Sequence, residues 1–321
     1  MASQDQKWIE KIKLALAQDF EIKDFGLVQR CLGHEIFQSN GKITLSQRDY
    51  TIELLRRFGM DECKPALTPS EVNAKVAKNE ETVSNRGRYF NQGSRPYREL
   101  IGALMYLSVG TRPDIANTVA KLAQFSVCPL DMHWSAAKRV LRYLKGTINY
   151  GLVFRKTGSN LVGFSDADWG GCTVDRRSFS GYAFLLGGAA ISWKSQKQRT
   201  VSLSSTESEY ISLSEATKEA IYLRSLMHEL GLKSLAKIVV NVENRGALYL
   251  ANDPVHHTRT KHIDIRHHFI RESVKEQKIT LNYLSTDKMI ADILTKALTI
   301  QKHNACAKGL GLNLVKISTH M

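Results

Sequence analysis

Residues 161–166 read LVGFSD, residues 181–186 read GYAFLL and residues 190–194 read AISWK. These three runs are rich in β-branched and aromatic residues and are separated by glycines and polar turns, which is typical of strands. A long helix is predicted next, at 206–230, because its apolar residues recur on one side and Gly231 follows as a helix stop. The sequence therefore predicts three strands followed by one long helix.

The pattern that follows completes one domain. Residues 237–242 and 279–284 predict two further strands. Short helices are predicted at 244–250, 263–274 and 289–298. Three strands, a helix, a strand, helices, a strand and a last helix form a mixed α/β layout around one central sheet.

The N-terminal half has a different organisation. Residues 8–60 predict a helix, a β-hairpin around Ser39-Asn40-Gly41 and a second helix. Pro65 and Pro69 interrupt regular structure before a polar stretch, and three helices return after Tyr97. We divide the chain as follows: 1–70 first segment, 71–96 linker, 97–150 helical module, 158–300 α/β domain and 301–321 C-terminal tail.

Composition limits the classes of function. The 321 residues carry a formal net charge of +14, which favours a polyanionic partner such as nucleic acid over simple solubility charge. The longest uncharged stretch, 181–193, is too short to span a bilayer, and the N-terminus does not resemble a secretion signal. Five scattered cysteines without a CxxC pair predict reduced thiols. We expect a cytoplasmic protein without a membrane segment.

Four acidic residues occur where predicted strands and helices begin or end: Asp166, Glu209, Glu243 and Asp292. Such positions can converge at one edge of a sheet. Clustered carboxylates without basic partners repel each other unless divalent cations neutralise them. This arrangement predicts a metal-dependent phosphodiesterase in which two ions hold the attacking water and the leaving oxygen.

Three of these acids also have a purely structural explanation. Asp166 is equally compatible with a strand-end turn. Glu209 follows Thr206 by three residues, which is the spacing of a capping box. Asp292 is equally compatible with a favourable charge at a helix N-terminus.

Several motifs, in order, resemble the RNase H domain of copia-type retrotransposon Pol proteins. They are SDADW (165–169), DRRS (175–178), SGY (180–182), ISWK (191–194), LSSTESEY (203–210), HTRTKHIDIR (257–266), HFIRE (268–272) and ADILTK (291–296). The resemblance implies an RNase H-like mixed five-stranded sheet with flanking helices.

The resemblance continues upstream of the α/β domain. KDFG (23–26), LGHEI (32–36), LSQ (45–47), CKP (63–65) and TP (68–69) are similar to the end of the family's reverse transcriptase. YRELIG (97–102) and TRPDI (111–115) are similar to the segment that joins polymerase to nuclease. A partial palm and thumb fragment is therefore implied. The polymerase motif Tyr-x-Asp-Asp is absent, so no polymerase activity is expected of this chain.

The resemblance also implies a site and a reaction. The family's nuclease carboxylates fall on Asp166, Glu209 and Asp292, with Asp168 and Glu207 as rivals for the first two. The remaining family position is Asp, and here it is Glu243. The implied activity is hydrolysis of the RNA strand of an RNA/DNA hybrid with two Mg²⁺ (or Mn²⁺) ions and without a small-molecule cofactor. Because glutamate is longer by one methylene, the alternative is a catalytically impaired nucleic-acid-binding remnant.

Basic and aromatic residues supply candidate contacts to nucleic acid. The candidates are Arg259, Lys261, Arg266, Lys194 and Lys197, with a solvated charged surface as the alternative. Five histidines lie between His256 and His268, where we favour a basic segment over a zinc site. Trp169 and Trp193 are interpreted as core residues rather than stacking platforms. Other Pol segments are expected partners, and virus-like particles or the nucleus are alternative locations.

Overall fold

The computed structural model describes residues 5–72, 96–252 and 261–315, with the side chains of 261–265 and 267 left outside the description. In these stretches the helices are α1 (Gln6–Asp19), α2 (Arg48–Arg57), α3 (Tyr97–Gly110), α4 (Ala116–Ala123), α5 (Asp131–Gly146), α6 (Ser205–Glu229), α7 (Arg245–Asn252), α8 (Lys261–Lys275) and α9 (Ile300–Gly309). The strands are β1 (Arg30–Cys31), β2 (His34–Ser39), β3 (Lys42–Ser46), β4 (Tyr150–Arg155), β5 (Val162–Ala167), β6 (Phe179–Leu186), β7 (Ala189–Lys197), β8 (Val239–Val242), β9 (Thr280–Tyr283) and β10 (Leu312–Leu314).

The predicted mixed five-stranded sheet is present, with the strand order β7-β6-β5-β8-β9. β5, β6 and β7 form an antiparallel meander, and β8 and β9 extend the sheet in parallel from β5. Helices α6, α7 and α8 pack with it around one apolar core. This is the RNase H-like arrangement that the resemblance implied.

A second, antiparallel sheet has the order β1-β2-β3-β4-β10. The predicted hairpin between β2 and β3 turns at Asn40 and Gly41, whose φ angles of 50° and 70° suit a tight two-residue turn. Strands β4 and β10 come from outside the predicted N-terminal segment, since Leu152 pairs with Leu312. This sheet therefore combines strands from the N-terminal and the C-terminal parts of the chain.

The C-terminal region differs from the prediction in two ways. The helix expected at 289–298 is instead a short 3₁₀ helix, Ile290–Leu294, and a separate helix α9 follows. The stretch 301–321 was expected to be a tail, but it contains most of α9 and the strand β10. The apolar face of α9, including Cys306 and Ala307, is buried in a core that also contains Leu312, and this packing orders the segment.

Packing joins regions that the sequence separates. Residues of α2 share one core with α3, α4 and α5, so the first segment and the helical module pack together. Another core includes Leu152 of β4, Ala190 of β7 and Ile293, and it connects the two sheets. The domain boundaries given above stay predictions. Most of the linker, residues 73–95, lies outside the described residues.

Three general expectations concern the surface and the thiols. None of the five cysteines, all of which are described, forms a disulfide. None of the helices in the described stretches has the length and apolarity that a membrane crossing needs. Helix α1 forms as predicted but buries none of its residues. Trp8 within the helix and Phe20 directly after it are exposed.

Candidate active site

The carboxyl ends of two neighbouring parallel strands bring Asp166 and Glu243 together. Ser165 of β5 lies opposite Val242 of β8, so Asp166 and Glu243 are the next residues in the same register. Parallel strands end at the same edge of a sheet, which places both carboxyl groups there. Asn244 then accepts a hydrogen bond from the backbone N–H of Ala247 at 2.9 Å and thereby caps α7.

Glu209 reaches the same edge from helix α6. Ser212 lies one turn further along the same face of the helix. Its hydroxyl donates to the backbone oxygen of Asp166 at 2.7 Å and lies 3.2 Å from Ser165 Oγ. These small hydroxyl side chains let α6 approach β5 closely. The docking places Glu209 beside Asp166.

Asp292 lies on the 3₁₀ helix Ile290–Leu294, which crosses the sheet next to β6. Gly181 pairs with Asp166 in the register of β5 and β6. A Cβ atom at Gly181 would stand 2.7 Å from Leu294 Cβ and 2.8 Å from Thr295 Cγ2. Only glycine leaves room for this segment, so Gly181 permits Asp292 to approach Asp166.

Helix α4 of the helical module holds the same segment from the other side. Asn117 Nδ2 donates to the backbone oxygen of Leu294 at 3.1 Å and to Ser195 Oγ at 3.3 Å. Lys121 Nζ donates to the backbone oxygen of Thr295 at 3.4 Å. The helical module therefore contributes to the position of Asp292, a role that its sequence pattern gave no reason to expect.

Carboxylate oxygens of Asp166, Glu243 and Asp292 lie within 4.8 Å of one another. The extra methylene of Glu243 thus does not remove its carboxylate from the cluster. Asp166, Glu209 and Asp292 are almost completely buried. Asp166 Oδ1, Glu209 Oε2 and Glu243 Oε2 are buried without a hydrogen-bond partner. Oxygen ligands in this arrangement fit a hard divalent cation such as Mg²⁺ or Mn²⁺.

The cluster contains basic partners, which the sequence analysis did not expect. Lys296 Nζ lies 2.7 Å from Asp292 Oδ1 and 3.5 Å from Asp166 Oδ2. Lys302 Nζ of α9 lies 3.1 Å from Asp292 Oδ2. Thr295 Oγ1 donates a hydrogen bond to Asp166 Oδ2. Lys296 belongs to the ADILTK motif, whereas Lys302 lies in the predicted tail and gave no sequence signal.

Burial and charge set the protonation of the cluster. Burial, with the charges of Asp292 and Glu243, raises the pKa of Asp166 to about 7, although Lys296 and Thr295 oppose the shift. Burial and the charges of Asp166 and Glu243 raise the pKa of Glu209 to about 10. Burial lowers the pKa of the Lys296 ammonium, but the charges of Asp166 and Asp292 have the larger combined effect and raise this pKa above its usual value. The folded cluster therefore holds protons at neutral pH.

The two rival acids have other tasks. Asp168 Oδ1 accepts a hydrogen bond from the backbone N–H of Phe179 and so closes the loop between β5 and β6. Glu207 Oε2 accepts from the N–H of Leu203 at 2.8 Å, and its own N–H donates to Ser204 Oγ at 3.1 Å. The helix cap is therefore built on Ser204 and Glu207, and the capping-box explanation of Glu209 is wrong.

Sequence comparison places the whole chain among transposon proteins. It is 38% identical over 317 residues to the retrovirus-related Pol polyprotein from transposon TNT 1-94 of Nicotiana tabacum, an alignment that covers 98% of the chain. It is 34% identical over 223 residues to the putative transposon Ty5-1 protein YCL074W of Saccharomyces cerevisiae, of which it covers 70%. The chain belongs to the copia-type retrotransposon Pol family. A family model described as reverse transcriptase (RNA-dependent DNA polymerase) matches residues 1–72 of this Pol chain.

The copia-type Pol chain spans 24% of the length of the tobacco polyprotein. Among solved structures, LC11-RNase H1 in complex with an RNA/DNA hybrid aligns with 42% of this chain and 94% of its own length. The identity is 13% and the TM-score 0.33.

The predicted nucleic-acid contacts of the Pol chain are only partly described. Arg259 lies outside the described residues, and of Lys261 only the backbone is described. Lys194 is exposed, and Arg266 is half-buried on α8. Lys197 Nζ is already paired with Asp175 at 2.8 Å. Lys194 and Lys197 both lie on β7, which continues to Lys197.

The two tryptophans behave differently. Trp193 packs against the core that joins the two sheets, and its Nε1 donates to the backbone oxygen of Ser108 at 2.7 Å. The core interpretation of Trp169 is wrong, because 60% of its surface is exposed. Its Nε1 donates to the backbone oxygen of Ser202 at 3.1 Å, which holds the ring at the surface between two loops.

Proposed function

We propose that this chain hydrolyses the RNA strand of RNA/DNA hybrids through a divalent-cation site formed by Asp166, Glu209, Glu243 and Asp292. The observation that carries the proposal is the convergence of the carboxyl groups of Asp166, Glu243 and Asp292 from separate elements, beside the buried Glu209, with buried oxygens left unpaired. An isolated buried carboxylate is costly, so a site that keeps several of them is more readily explained by a ligand than by stability. When bound, Mg²⁺ or Mn²⁺ would supply charge neutralisation and activation of water at the scissile phosphate.

The chain's own residues orient the water and position the cation site. Asp166 and Asp292 orient the attacking water, and Glu209 positions the cation site from helix α6. Thr295 fixes the rotamer of Asp166 by donating to its Oδ2. Gly181 and Asn117 place the segment that carries Asp292. A count of two ions follows from the family resemblance and stays a prediction.

The proposed partner is an RNA/DNA hybrid. The net charge of +14 favours a polyanion. Lys194, Arg266, Arg259 and Lys261 are the proposed phosphate contacts, while Lys197 would first have to leave Asp175. Other Pol segments are proposed protein partners, because the relatives are much longer than this chain. A cytoplasmic location, with virus-like particles or the nucleus as alternatives, is likewise proposed.

The test is cleavage of a hybrid whose RNA strand is end-labelled, with purified protein and either Mg²⁺ or Mn²⁺. The wild-type chain should cleave the hybrid. Asp166→Asn should lower the rate of cleavage by at least about a hundredfold, because the loss of one group that stabilises the transition state electrostatically costs that much. Circular dichroism checks that both proteins fold. A folded wild-type chain that leaves the hybrid intact in both metals refutes the proposal.

A second candidate function is that of a hybrid-binding protein with impaired catalysis. The glutamate at position 243 favours it, because the family position is an aspartate. Glu243→Asp separates the two candidates. Cleavage that appears only in the variant establishes the impaired protein, whereas equal cleavage by both chains excludes it.

A further inference from the structure

Two lysines contact the acidic cluster, and their surroundings differ. Lys302 Nζ pairs with Asp292 and also donates to the backbone oxygens of Thr286 at 2.6 Å and Asp287 at 2.9 Å. These backbone contacts fix its position. Lys296 Nζ instead lies between Asp292 and Asp166, at 2.7 Å and 3.5 Å.

The position of Lys296 overlaps the place of a metal ion. Asp166 and Asp292 are two of the three residues whose oxygens lie within 4.8 Å of one another. A divalent cation takes carboxylate oxygens at roughly 2.0–2.6 Å, so it would compete with the ammonium for the same lone pairs. The ammonium and the ion also repel each other at this separation, where burial weakens the screening by water.

The Lys296 side chain can leave the cluster toward solvent. Its side chain is 36% exposed, whereas those of Asp166 and Asp292 are 0% and 2% exposed. The ammonium can therefore turn toward solvent while both carboxylates stay in place. The hydroxyl of Thr295 continues to hold Asp166 when the neighbouring lysine leaves.

We propose that Lys296 is an internal counter-cation that neutralises the acidic cluster in the metal-free protein and must be displaced before a divalent cation binds. The lysine lowers the affinity of the site for the ion and keeps the carboxylates together until the ion arrives. This inference rests on the proposed metal-dependent function, because it requires that a divalent cation enters this cluster.

The test measures binding of Mn²⁺ to the full-length chain by electron paramagnetic resonance, which detects the free ion. Lys296→Met should bind Mn²⁺ about tenfold more tightly than the wild type, a usual magnitude for coupling between two competing events. Lys308→Met is the matched control, because Lys308 is an exposed lysine on α9. It should bind like the wild type. Equal or weaker binding by Lys296→Met, or no binding by either protein, overturns the proposal.

A second measurement serves if Lys296→Met does not fold. In wild-type protein labelled with ¹⁵N-lysine, the Lys296 ammonium should give an NMR signal, because its ion pairs protect its protons from exchange with water. Addition of Mg²⁺ should remove that protection. A Lys296 signal that does not respond to Mg²⁺ would contradict displacement.

These readouts are separate from catalysis. Tighter Mn²⁺ binding by Lys296→Met in a chain that never cleaves the hybrid would support the displacement and refute the proposed function. Hybrid cleavage by wild type together with equal Mn²⁺ affinities would refute the displacement alone.

Discussion

Replacing Asp166 by asparagine should stabilise the metal-free protein at alkaline pH while it abolishes the proposed activity. Burial and neighbouring carboxylates raise the pKa of Asp166 from 3.8 to about 7. The folded chain therefore binds this proton more tightly than the unfolded chain. The corresponding stability is present below pH 3.8 and is lost as the pH rises to about 7.

The size of the effect follows from that shift. One pKa unit corresponds to about 1.4 kcal/mol, so ionising Asp166 in the folded chain costs at most on the order of 4 kcal/mol. Glu209 relieves part of this cost, because a proton can redistribute between its carboxyl group and that of Asp166. We expect the advantage of Asp166→Asn over wild type in the free energy of unfolding to grow by about 2 kcal/mol between pH 5 and pH 8.

Urea unfolding of both proteins in chelator at pH 5 and pH 8 measures this difference. Asp175→Asn is the control, because Asp175 pairs with Lys197 at 2.8 Å and should gain no stability at pH 8. Saturating Mn²⁺ should stabilise the wild type more than Asp166→Asn. If Asp166→Asn is less stable than wild type at pH 8 without metal, or if the difference is independent of pH, the pKa of Asp166 is not raised in the folded chain.

Three further substitutions test how the site is held. Asn117→Ala removes the hydrogen bond to Leu294, so it should lower the free energy of unfolding in urea by about 1 kcal/mol and slow hybrid cleavage. Unchanged cleavage would contradict the positioning role of α4. Gly181→Ala should cost about 1–3 kcal/mol and weaken Mn²⁺ binding, because its Cβ would meet Leu294 at 2.7 Å. Gly102→Ala, where a Cβ meets nothing within 4 Å, is the control that should not weaken Mn²⁺ binding. Arg112→Met leaves the buried Asp114 without its ion pair at 2.7 Å and should cost about 3–5 kcal/mol in urea unfolding; a smaller loss than 1 kcal/mol would show that the pair is dispensable.

Much of the RNase H-like sheet could be predicted because its signals are local. The alternation and glycines around β5 and β6 mark strands, and the helix predicted at 206–230 is α6, Ser205–Glu229. The four acids could be placed at element ends for the same reason. The choice of Asp166 over Asp168 and of Glu209 over Glu207 came from the family resemblance. Their hydrogen bonds in the structure explain what the rival acids do instead.

The rest depends on contacts between distant parts of the chain. Strand β10 forms because its residues pair with β4, which lies more than 150 positions earlier in the chain. No local sequence pattern predicts a partner at that distance. The 3₁₀ helix that carries Asp292 is positioned by contacts with Gly181 and Asn117, which are distant in the sequence. The expectation of a cluster without basic partners was wrong, because Lys296 pairs with Asp292 four residues earlier and Lys302 reaches Asp292 from a segment predicted as a tail.

The carboxyl cluster is proposed to cleave the RNA strand of a hybrid with the help of a divalent cation. The most direct measurement offers one labelled RNA to the wild-type chain as a hybrid with DNA, as a duplex with RNA and as a single strand, each with Mn²⁺ and with chelator. We expect cleavage of the hybrid alone, only with Mn²⁺, and none by Asp166→Asn. Cleavage that persists in chelator or in Asp166→Asn, or a hybrid that stays intact beside a folded wild-type protein, would contradict it.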